Sequence, residues 1–226
     1  MHFAEERVNL KATFTSLMEA LEVSDPYTRG HSDRVGSLSV ALGMEIGLEH
    51  RELEILKDAG VLHDIGKIGV STQVLNKPGK LSDEEYEQVK QHVVFGYNIL
   101  KPLQVPELLD ITLLHHERMD GKGYPLGIIE YPLLVRVLQV ADVWDALTSD
   151  RPYRKAMKFS EARNLMDGKT NQFGFDPAIL ESFLRITRFT FPEDDADPSL
   201  EIERVLAEIE SLDLASELAP QPVTCC

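Results

Sequence analysis

Apolar residues recur at intervals of three and four positions along most of this chain, and this periodicity restricts the fold more than any other feature of the sequence. The segment 32–47 is one example, with a single helical face formed by Val35, Leu38, Leu42 and Ile46. No segment alternates apolar and polar residues as a half-buried strand would. The sequence therefore predicts an all-α protein.

Capping and helix-breaking residues place the ends of the predicted helices. Ser82 and Glu85 form a capping box that opens one helix, and Asp176 precedes a proline that opens another. The stretch "ERMDGKGYPLGIIEYP" contains three glycines and two prolines, which predicts a long loop. Loops of this length inside compact domains are usually functional or disordered. Further helices are predicted over 32–47, 50–64, 106–115 and 133–148.

Polar residues that bind metals gather at the ends of these helices. In "LHDIGKIG", His63 and Asp64 stand side by side after an apolar run, where a polar pair is costly to bury. Imidazole and carboxylate ligands together suit Fe, Mn, Zn, Ni or Co. Any one of these histidines could instead be structural, and the spacing alone leaves both a structural role and a two-metal site open. The candidate ligands are His31, His63, Asp64, His92, His115, His116 and Asp142.

The order of the motifs resembles the HD-GYP family, a branch of the HD metal-dependent phosphohydrolase superfamily. The motifs are "GHSDRV", "LHDIGKIG", "HVVFGYNIL", "HHERMDGKGYPLG" and "ADVWDALTSDRPYR". The resemblance runs from Asp25 to Arg154 and more loosely to Arg188. It implies an HD-type helical bundle with a long Gly-Tyr-Pro loop. It also implies a bacterial signal-transduction hydrolase, a phosphodiesterase that converts cyclic di-GMP to linear pGpG, to GMP, or to both.

The resemblance implies a centre of two divalent transition-metal ions, Fe or Mn first, with Ni, Co and Zn as alternatives. Asp64 would bridge the two ions, and Gly66 would end the helix that carries it. Family members with a third metal place a Glu four residues before the first ligand, where this chain has Tyr27. A neutral phenol is a poor ligand, so two ions are predicted. One ion is assigned to His31, His63, Asp64 and Asp142, and the other to Asp64, His92, His115 and His116.

The resemblance also assigns roles outside the ligand set. Lys67 is expected to donate to the transferring phosphate, and Asp145 to orient the nucleophile or handle protons. Arg151 and Arg154 would bind phosphate, although a surface salt bridge is the alternative for both. Tyr124 would stack on a base of the substrate or shape the loop.

Three segments are predicted: 1–24 as a signalling or dimerisation helix, 25–190 as the catalytic domain, and 191–226 as an acidic helix and tail. The apolar stripe from Leu10 to Leu21 could support a homodimer or pack on the domain. The Gly-Tyr-Pro loop could also dock a cyclase-type (GGDEF) protein. Cys225 and Cys226 are too close to the terminus to join parts of the core.

Charge and hydropathy exclude several function classes. A net charge of −15 argues against binding to DNA or to an anionic membrane. No stretch approaches the ~20 apolar residues of a membrane span, and no signal peptide is present, so a cytoplasmic location is expected. The alternatives to a cyclic di-GMP hydrolase are a related hydrolase of another nucleotide, a nonenzymatic receptor for cyclic di-GMP, and an interaction module.

Overall fold

The computed structural model describes residues 13–21, 28–150, 155–168 and 172–190, and these residues form helices and loops without a strand. The all-α prediction is therefore confirmed. Two short 3-10 helices cover Ile65–Gly69 and Lys101–Leu103. The α-helices are α1 (13–21), α2 (Thr28–Glu45), α3 (His50–Leu62), α4 (Thr72–Leu75), α5 (Asp83–Lys90), α6 (His92–Leu100), α7 (Pro106–Leu114), α8 (Leu133–Thr148), α9 (Phe159–Met166) and α10 (Pro177–Thr190).

The signals for helix starts agree with the structure. The Ser82 hydroxyl accepts a hydrogen bond from the Glu85 N–H, and the Glu85 carboxylate accepts one from the Ser82 N–H, which completes the capping box of α5. At α10, the Asp176 carboxylate accepts a hydrogen bond from the Ala178 N–H, and Pro177 is the first helical residue. These two helices begin where side-chain acceptors meet otherwise unpaired N–H groups.

Helices α2 and α3 form a close antiparallel pair through two glycines. A Cβ atom on Gly60 would lie 2.2 Å from Cα of Gly36, so the two backbones approach as closely as their atoms allow. The core continues to α8, which buries apolar residues around most of its circumference. There the fully buried Trp144 stacks on Phe159 of α9 and meets Phe183 of α10 edge-on. Within the described residues, no helix combines the length and apolar character needed to cross a bilayer.

The described part of the N-terminal stripe packs on the domain. Phe14, Met18 and Leu21 are buried in the same core as α2 and α8. Leu10 lies outside the described residues, as do residues 191–226 with Cys225 and Cys226. Core packing was one of the two alternatives for this stripe, and the dimer stays a prediction. The proposed division of the chain at residues 24 and 190 also stays a prediction.

Candidate metal centre

His63 and Asp64 stand at a change of helix type. Helix α3 ends at Leu62, His63 is its C-cap residue, and Asp64 is the N-cap residue of the following 3-10 helix. This change of path brings His63 Nε2 to 3.4 Å from Asp64 Oδ2. The pair is buried because it faces other polar groups across the bundle, which offsets the cost of removing it from water.

Gly66 does not have the role that the sequence suggested. It lies within the 3-10 helix, four residues beyond the end of α3, so it does not end that helix. A Cβ atom at this position would lie 1.8 Å from the carbonyl oxygen of His92 and 2.4 Å from the amide nitrogen of Gly96. Glycine is therefore required because the backbone of this turn rests directly on the backbone of α6, which carries the next candidate ligand.

The seven predicted ligands form two groups of donor atoms, and within each group all atoms lie within 4.8 Å of one another. Asp64 faces both groups. Its Oδ2 atom is 3.4 Å from His63 Nε2 and 3.9 Å from His31 Nε2, and its Oδ1 atom is 3.3 Å from His92 Nε2. The structure thus presents one carboxylate oxygen to each group. The groups are His31, His63 and Asp142, and Asp64, His92, His115 and His116.

Contacts with backbone carbonyl oxygens fix the orientation of three imidazole rings. The Nδ1 atoms of His63, His92 and His115 lie 2.8, 2.7 and 3.0 Å from the backbone carbonyl three residues earlier. This arrangement places the proton on Nδ1 and leaves the Nε2 lone pair facing the cluster, as in many metal sites. Among the described residues, His63 Nε2 is buried and has no hydrogen-bond partner. A buried acceptor of this kind is what a metal ion would satisfy.

His31 is held by a carboxylate instead of a carbonyl. Its Nδ1 atom lies 2.8 Å from Asp145 Oδ2, and its Nε2 atom lies 3.3 Å from Asp142 Oδ1. Asp145 is buried, and Arg34 donates two hydrogen bonds to it. The Asp145 carboxylate contacts the ring nitrogen of His31 that points away from the donor cluster, and its expected role in orienting the nucleophile or handling protons stays a prediction. The sequence placed it correctly one helical turn after Asp142 but could not show the direction of its side chain.

Burial keeps most of the imidazoles neutral. It lowers the pKa of His92 and His115, and it lowers the pKa of His116 to about 3, with the neighbouring His92 adding to the effect. Burial also opposes protonation of His31, but its hydrogen bonds to Asp142 and Asp145 outweigh that effect and raise its pKa to about 9. Three imidazoles therefore offer free lone pairs at neutral pH.

The carboxylates of the cluster are ionised despite their burial. Burial favours the neutral acid in Asp64, but the Lys67 ammonium and His63 hold its pKa well below the usual value. Burial also favours the neutral acid in Asp142, but the hydrogen bond to His31 outweighs burial and lowers the pKa of Asp142. Neutral imidazoles and charged carboxylates are the forms that bind cations. The donor set therefore fits divalent transition metals, which prefer mixed nitrogen and oxygen ligands.

A cavity of about 410 Å³ opens over the donor groups. Lys67 lines it and forms an ion pair with Asp64 Oδ2. The ring of Tyr124 stacks on the ring of His116, with centroids 4.7 Å apart and planes inclined by 22°. The wall thus combines candidate ligands with cations and aromatic rings, including Tyr86, Arg118, Lys122, Phe173 and Phe175.

Two buried residues that shape the long loop were missed by the sequence analysis. The Glu117 carboxylate accepts hydrogen bonds from the N–H groups of Leu126, Gly127 and Ile128 at 2.6, 3.1 and 3.1 Å. Gln139 of α8 donates to the Glu117 carbonyl oxygen at 2.6 Å. Glu117 follows the His-His pair directly, and that adjacency was the only signal available. Together these residues fix the loop over His116.

Three residues with predicted roles lie outside the described part of the chain. These are Arg151 and Arg154, expected to bind phosphate, and Tyr27, which stands where other members would carry a ligand for a third metal. Their assignments stay predictions. All seven candidate ligands, Lys67 and Tyr124 lie at the cluster or line the cavity above it.

The sequence comparisons agree with this geometry. A family model described as HD domain matches residues 15–179. A cyclic di-GMP phosphodiesterase of Pseudomonas aeruginosa is 42% identical over 169 residues, which cover 73% of this chain and 40% of that protein. A 3'3'-cGAMP-specific phosphodiesterase of Vibrio cholerae is 36% identical over 169 residues, which cover 74% of this chain and 37% of that protein. The chain therefore spans less than half the length of these relatives.

Solved structures show the same fold. A cyclic GMP-AMP specific phosphodiesterase of V. cholerae superposes with a TM-score of 0.52 at 32% identity, covering 81% of this chain and 42% of that one. An HDG"Y"P protein from Bdellovibrio bacteriovorus gives a TM-score of 0.58 at 22% identity, covering 71% of this chain and 52% of that one. The second likeness concerns the fold alone.

Proposed function

This chain belongs to the HD domain family, and from that membership we propose that it hydrolyses cyclic di-GMP. One observation carries the proposal: two groups of metal donors share Asp64 at the floor of a cavity with cationic and aromatic walls. A phosphodiester is anionic and resists attack by water, and paired divalent ions are a common protein solution to both problems. Relatives named as cyclic di-GMP phosphodiesterases support the substrate class.

Two divalent ions fit the donor set, with Fe or Mn as our first choice. Bound there, they would neutralise phosphate charge and lower the pKa of a water molecule. His31, His63 and Asp142 would hold one ion, and His92, His115 and His116 the other, with one oxygen of Asp64 on each. The neutral imidazoles of His92, His115 and His116 and the ionised carboxylates of Asp64 and Asp142 need no change of protonation to do so, whereas His31 must lose a proton.

The remaining residues act on the substrate. Lys67 lines the cavity beside Asp64 and would donate to an oxygen of the transferring phosphate. Arg151 and Arg154 come shortly after the end of α8 and would bind the second phosphate of the ring. The Tyr124 ring, already stacked on His116, would offer its edge or outer face to a base.

Hydrolysis adds one water molecule across one phosphodiester bond. The water oxygen bonds to phosphorus, the bond between phosphorus and the ribose oxygen breaks, and that oxygen leaves with a proton. A single event opens the ring and gives linear pGpG, and a second event gives two GMP molecules. We propose pGpG as the first product.

The second candidate substrate is 3'3'-cGAMP. Relatives specific for it are 36%, 31% and 32% identical to this chain, and the solved V. cholerae structure carries the same specificity. The two cyclic dinucleotides share the phosphate ring and differ in one base. The choice between them therefore depends on the residues that contact bases, and the metal donors have no part in it.

A product assay tests the proposal. Protein loaded with Mn²⁺ or Fe²⁺ would be incubated with each cyclic dinucleotide, and the products separated by chromatography. We expect turnover of cyclic di-GMP and its loss in the absence of metal. Faster turnover of 3'3'-cGAMP would favour the second candidate. Tight binding of cyclic di-GMP without turnover by the metal-loaded protein would contradict both and indicate a receptor.

A further inference from the structure

Arg34 of α2 donates hydrogen bonds to the carboxylate of Asp145 on α8, and this carboxylate contacts His31. Its Nε atom donates to Asp145 Oδ1, and its Nη2 atom donates to Asp145 Oδ2 at 3.0 Å. The same Oδ2 atom lies 2.8 Å from His31 Nδ1. Ser149 donates to Oδ1 at 3.2 Å, so the oxygens of Asp145 are occupied from three sides. The Asp145 side chain is 1% exposed and that of Arg34 is 25% exposed.

Gly30 leaves space for the interaction between Arg34 and Asp145. Gly30 precedes Arg34 by one helical turn on α2, and a Cβ atom there would lie 2.8 Å from Arg34 Nη1. With only a hydrogen at this position, the guanidinium has space to direct its Nε and Nη2 atoms toward Asp145. The Cβ atom of an alanine would displace the end of the Arg34 side chain, because Nη1 lies at the flexible end of that side chain.

We propose that Arg34 is a positioning residue for the candidate metal ligand His31, and that it acts through Asp145. The inference rests on the two-metal site of the proposed function. Arg34 fixes both oxygens of Asp145 with a planar fork, and Asp145 in turn fixes the ring plane of His31 and keeps the proton on Nδ1. The Nε2 atom of His31 then faces Asp142 and Asp64.

Burial explains why the carboxylate needs a partner beyond His31. A nearly inaccessible charge is costly unless it is paired and hydrogen-bonded on all sides. A lysine would supply the charge as a single point but could not hold two oxygens in one plane. Within the described part of the chain, His31 is the candidate ligand whose Nδ1 atom contacts a carboxylate, whereas His63, His92 and His115 contact backbone carbonyls, so the group of His31 should be the one that depends on Arg34.

The test counts the metal retained by the loaded protein. Wild type, Arg34→Gln, Arg34→Lys and Gly30→Ala would be loaded with Mn²⁺, dialysed against increasing EDTA, and analysed for Mn per chain. Arg185→Gln is the matched control, because Arg185 also joins α2 to another helix by donating two hydrogen bonds to a carboxylate, that of Glu45, away from the donor groups.

We expect Arg34→Gln to release one of two Mn²⁺ ions at about 10-fold lower EDTA, the usual effect of losing an outer-shell partner. Arg34→Lys should lie between wild type and Arg34→Gln, and Gly30→Ala should shift in the same direction. Combining Arg34→Gln with Asp145→Asn should add little to Asp145→Asn alone, since the two residues act in series. Arg185→Gln should match wild type.

Unchanged retention in Arg34→Gln overturns the inference, and so does joint loss of both ions from a variant that keeps its helix content. If Arg34→Gln does not fold, Gly30→Ala decides, because alanine is the better helix former and leaves Arg34 in the chain. Metal retention is measured without substrate, so failure of this inference can be distinguished from failure of the proposed function. Selective ion loss in a protein that turns over no cyclic dinucleotide would contradict only the proposed function.

Discussion

Asp64 lies between the two groups of candidate metal donors. Each of its oxygens faces a different donor group, and its charge is balanced by Lys67 on one side. On the proposed two-metal assignment, a mutation here would remove a donor from both groups at once, whereas a mutation at any other candidate ligand would affect one. This difference would set Asp64 apart from the six residues around it.

We predict that Asp64→Ala abolishes metal binding and activity but leaves the helices intact. Turnover should fall by at least about 100-fold, because even outer-shell partners of metal ligands cost 10–100-fold. Circular dichroism would report helix content, and elemental analysis would report bound metal. Asp167→Ala, at an exposed position after α9, is the control. Near-normal metal content in Asp64→Ala would rule out a bridging role.

The buried histidines make the stability of the metal-free protein sensitive to acid. The unfolded chain takes up a proton at His116 near pH 6.5, but the folded chain does not until about pH 3. Stability is therefore present above pH 6.5 and is lost as the pH falls below it, by at most about 1.4 kcal/mol per pH unit for one imidazole. His92 and His115 act in the same direction.

His31 has the opposite dependence. Its pKa is about 9 when folded, so its contribution is complete below pH 6.5 and is lost as the pH rises through 9. Urea unfolding of the metal-free protein should therefore show maximal stability near pH 6.5. His116→Gln should reduce the loss on the acid side, while His50→Gln, at a largely exposed histidine of α3, should not. A stability that rose steadily below pH 6 would contradict this assignment.

At the scale of elements, the long loop is held by one carboxylate. Glu117 satisfies three consecutive N–H groups at the far side of the loop, and Gln139 ties its backbone to α8. Tyr124 is thereby kept against His116. The loop is consequently part of the site's framework, and its rigidity comes from buried hydrogen bonds instead of regular structure.

We predict that Glu117→Gln loosens this loop. The amide has one acceptor oxygen and turns an NH₂ group toward backbone donors, so at least one N–H is left unpaired at a cost of about 1–3 kcal/mol. Limited proteolysis should cut within 119–130 faster, and turnover should fall with metal content unchanged. The exposed Glu130→Gln is the control. Equal cleavage rates in the two variants would argue against this role for Glu117.

The turn after α3 gives a second prediction at this scale. Gly66→Ala would place a methyl group 1.8 Å from the His92 carbonyl oxygen, and backbone on both sides leaves little room to adjust. We expect a loss of about 1–3 kcal/mol or more in unfolding free energy, as for overpacked cores, with metal binding weakened because His63 and His92 separate. Gly168→Ala, with its nearest neighbour at 3.3 Å, should cost less. Denaturant unfolding would compare the two.

The helices and the candidate metal ligands could be predicted from the sequence more fully than the residues that hold those ligands in place. Helix starts at Ser82 and Asp176 depend on neighbouring residues, so local patterns suffice. The candidate ligands were found because their motifs resemble a known family. In contrast, the link from Arg34 to Asp145 joins residues 111 positions apart. The need for Gly66 arises from a backbone contact with α6. Only the packed structure reveals such contacts.

At the scale of the whole molecule, the core and the centre share the same helices. Helix α8 buries Trp144 on one side and presents Asp142 on another, while α2 carries both core residues and His31. The bundle therefore holds the donors on elements whose positions are fixed by packing, which favours a preorganised site. The N-terminal helix adds to the same core, and the family match, which begins at residue 15, includes most of it.

The spread of the donors along the chain also orders the events of biosynthesis. The group containing Asp64 is complete once residue 116 has emerged from the ribosome, but the group containing His31 must wait for Asp142. In the proposed two-metal centre, a nascent chain would thus contain all donors of the Asp64 group before it contained all donors of the His31 group. An ion that binds only the finished bundle shifts the equilibrium toward it in proportion to metal supply. When metal is scarce, a larger fraction of the newly made chain would remain incompletely folded and open to proteases.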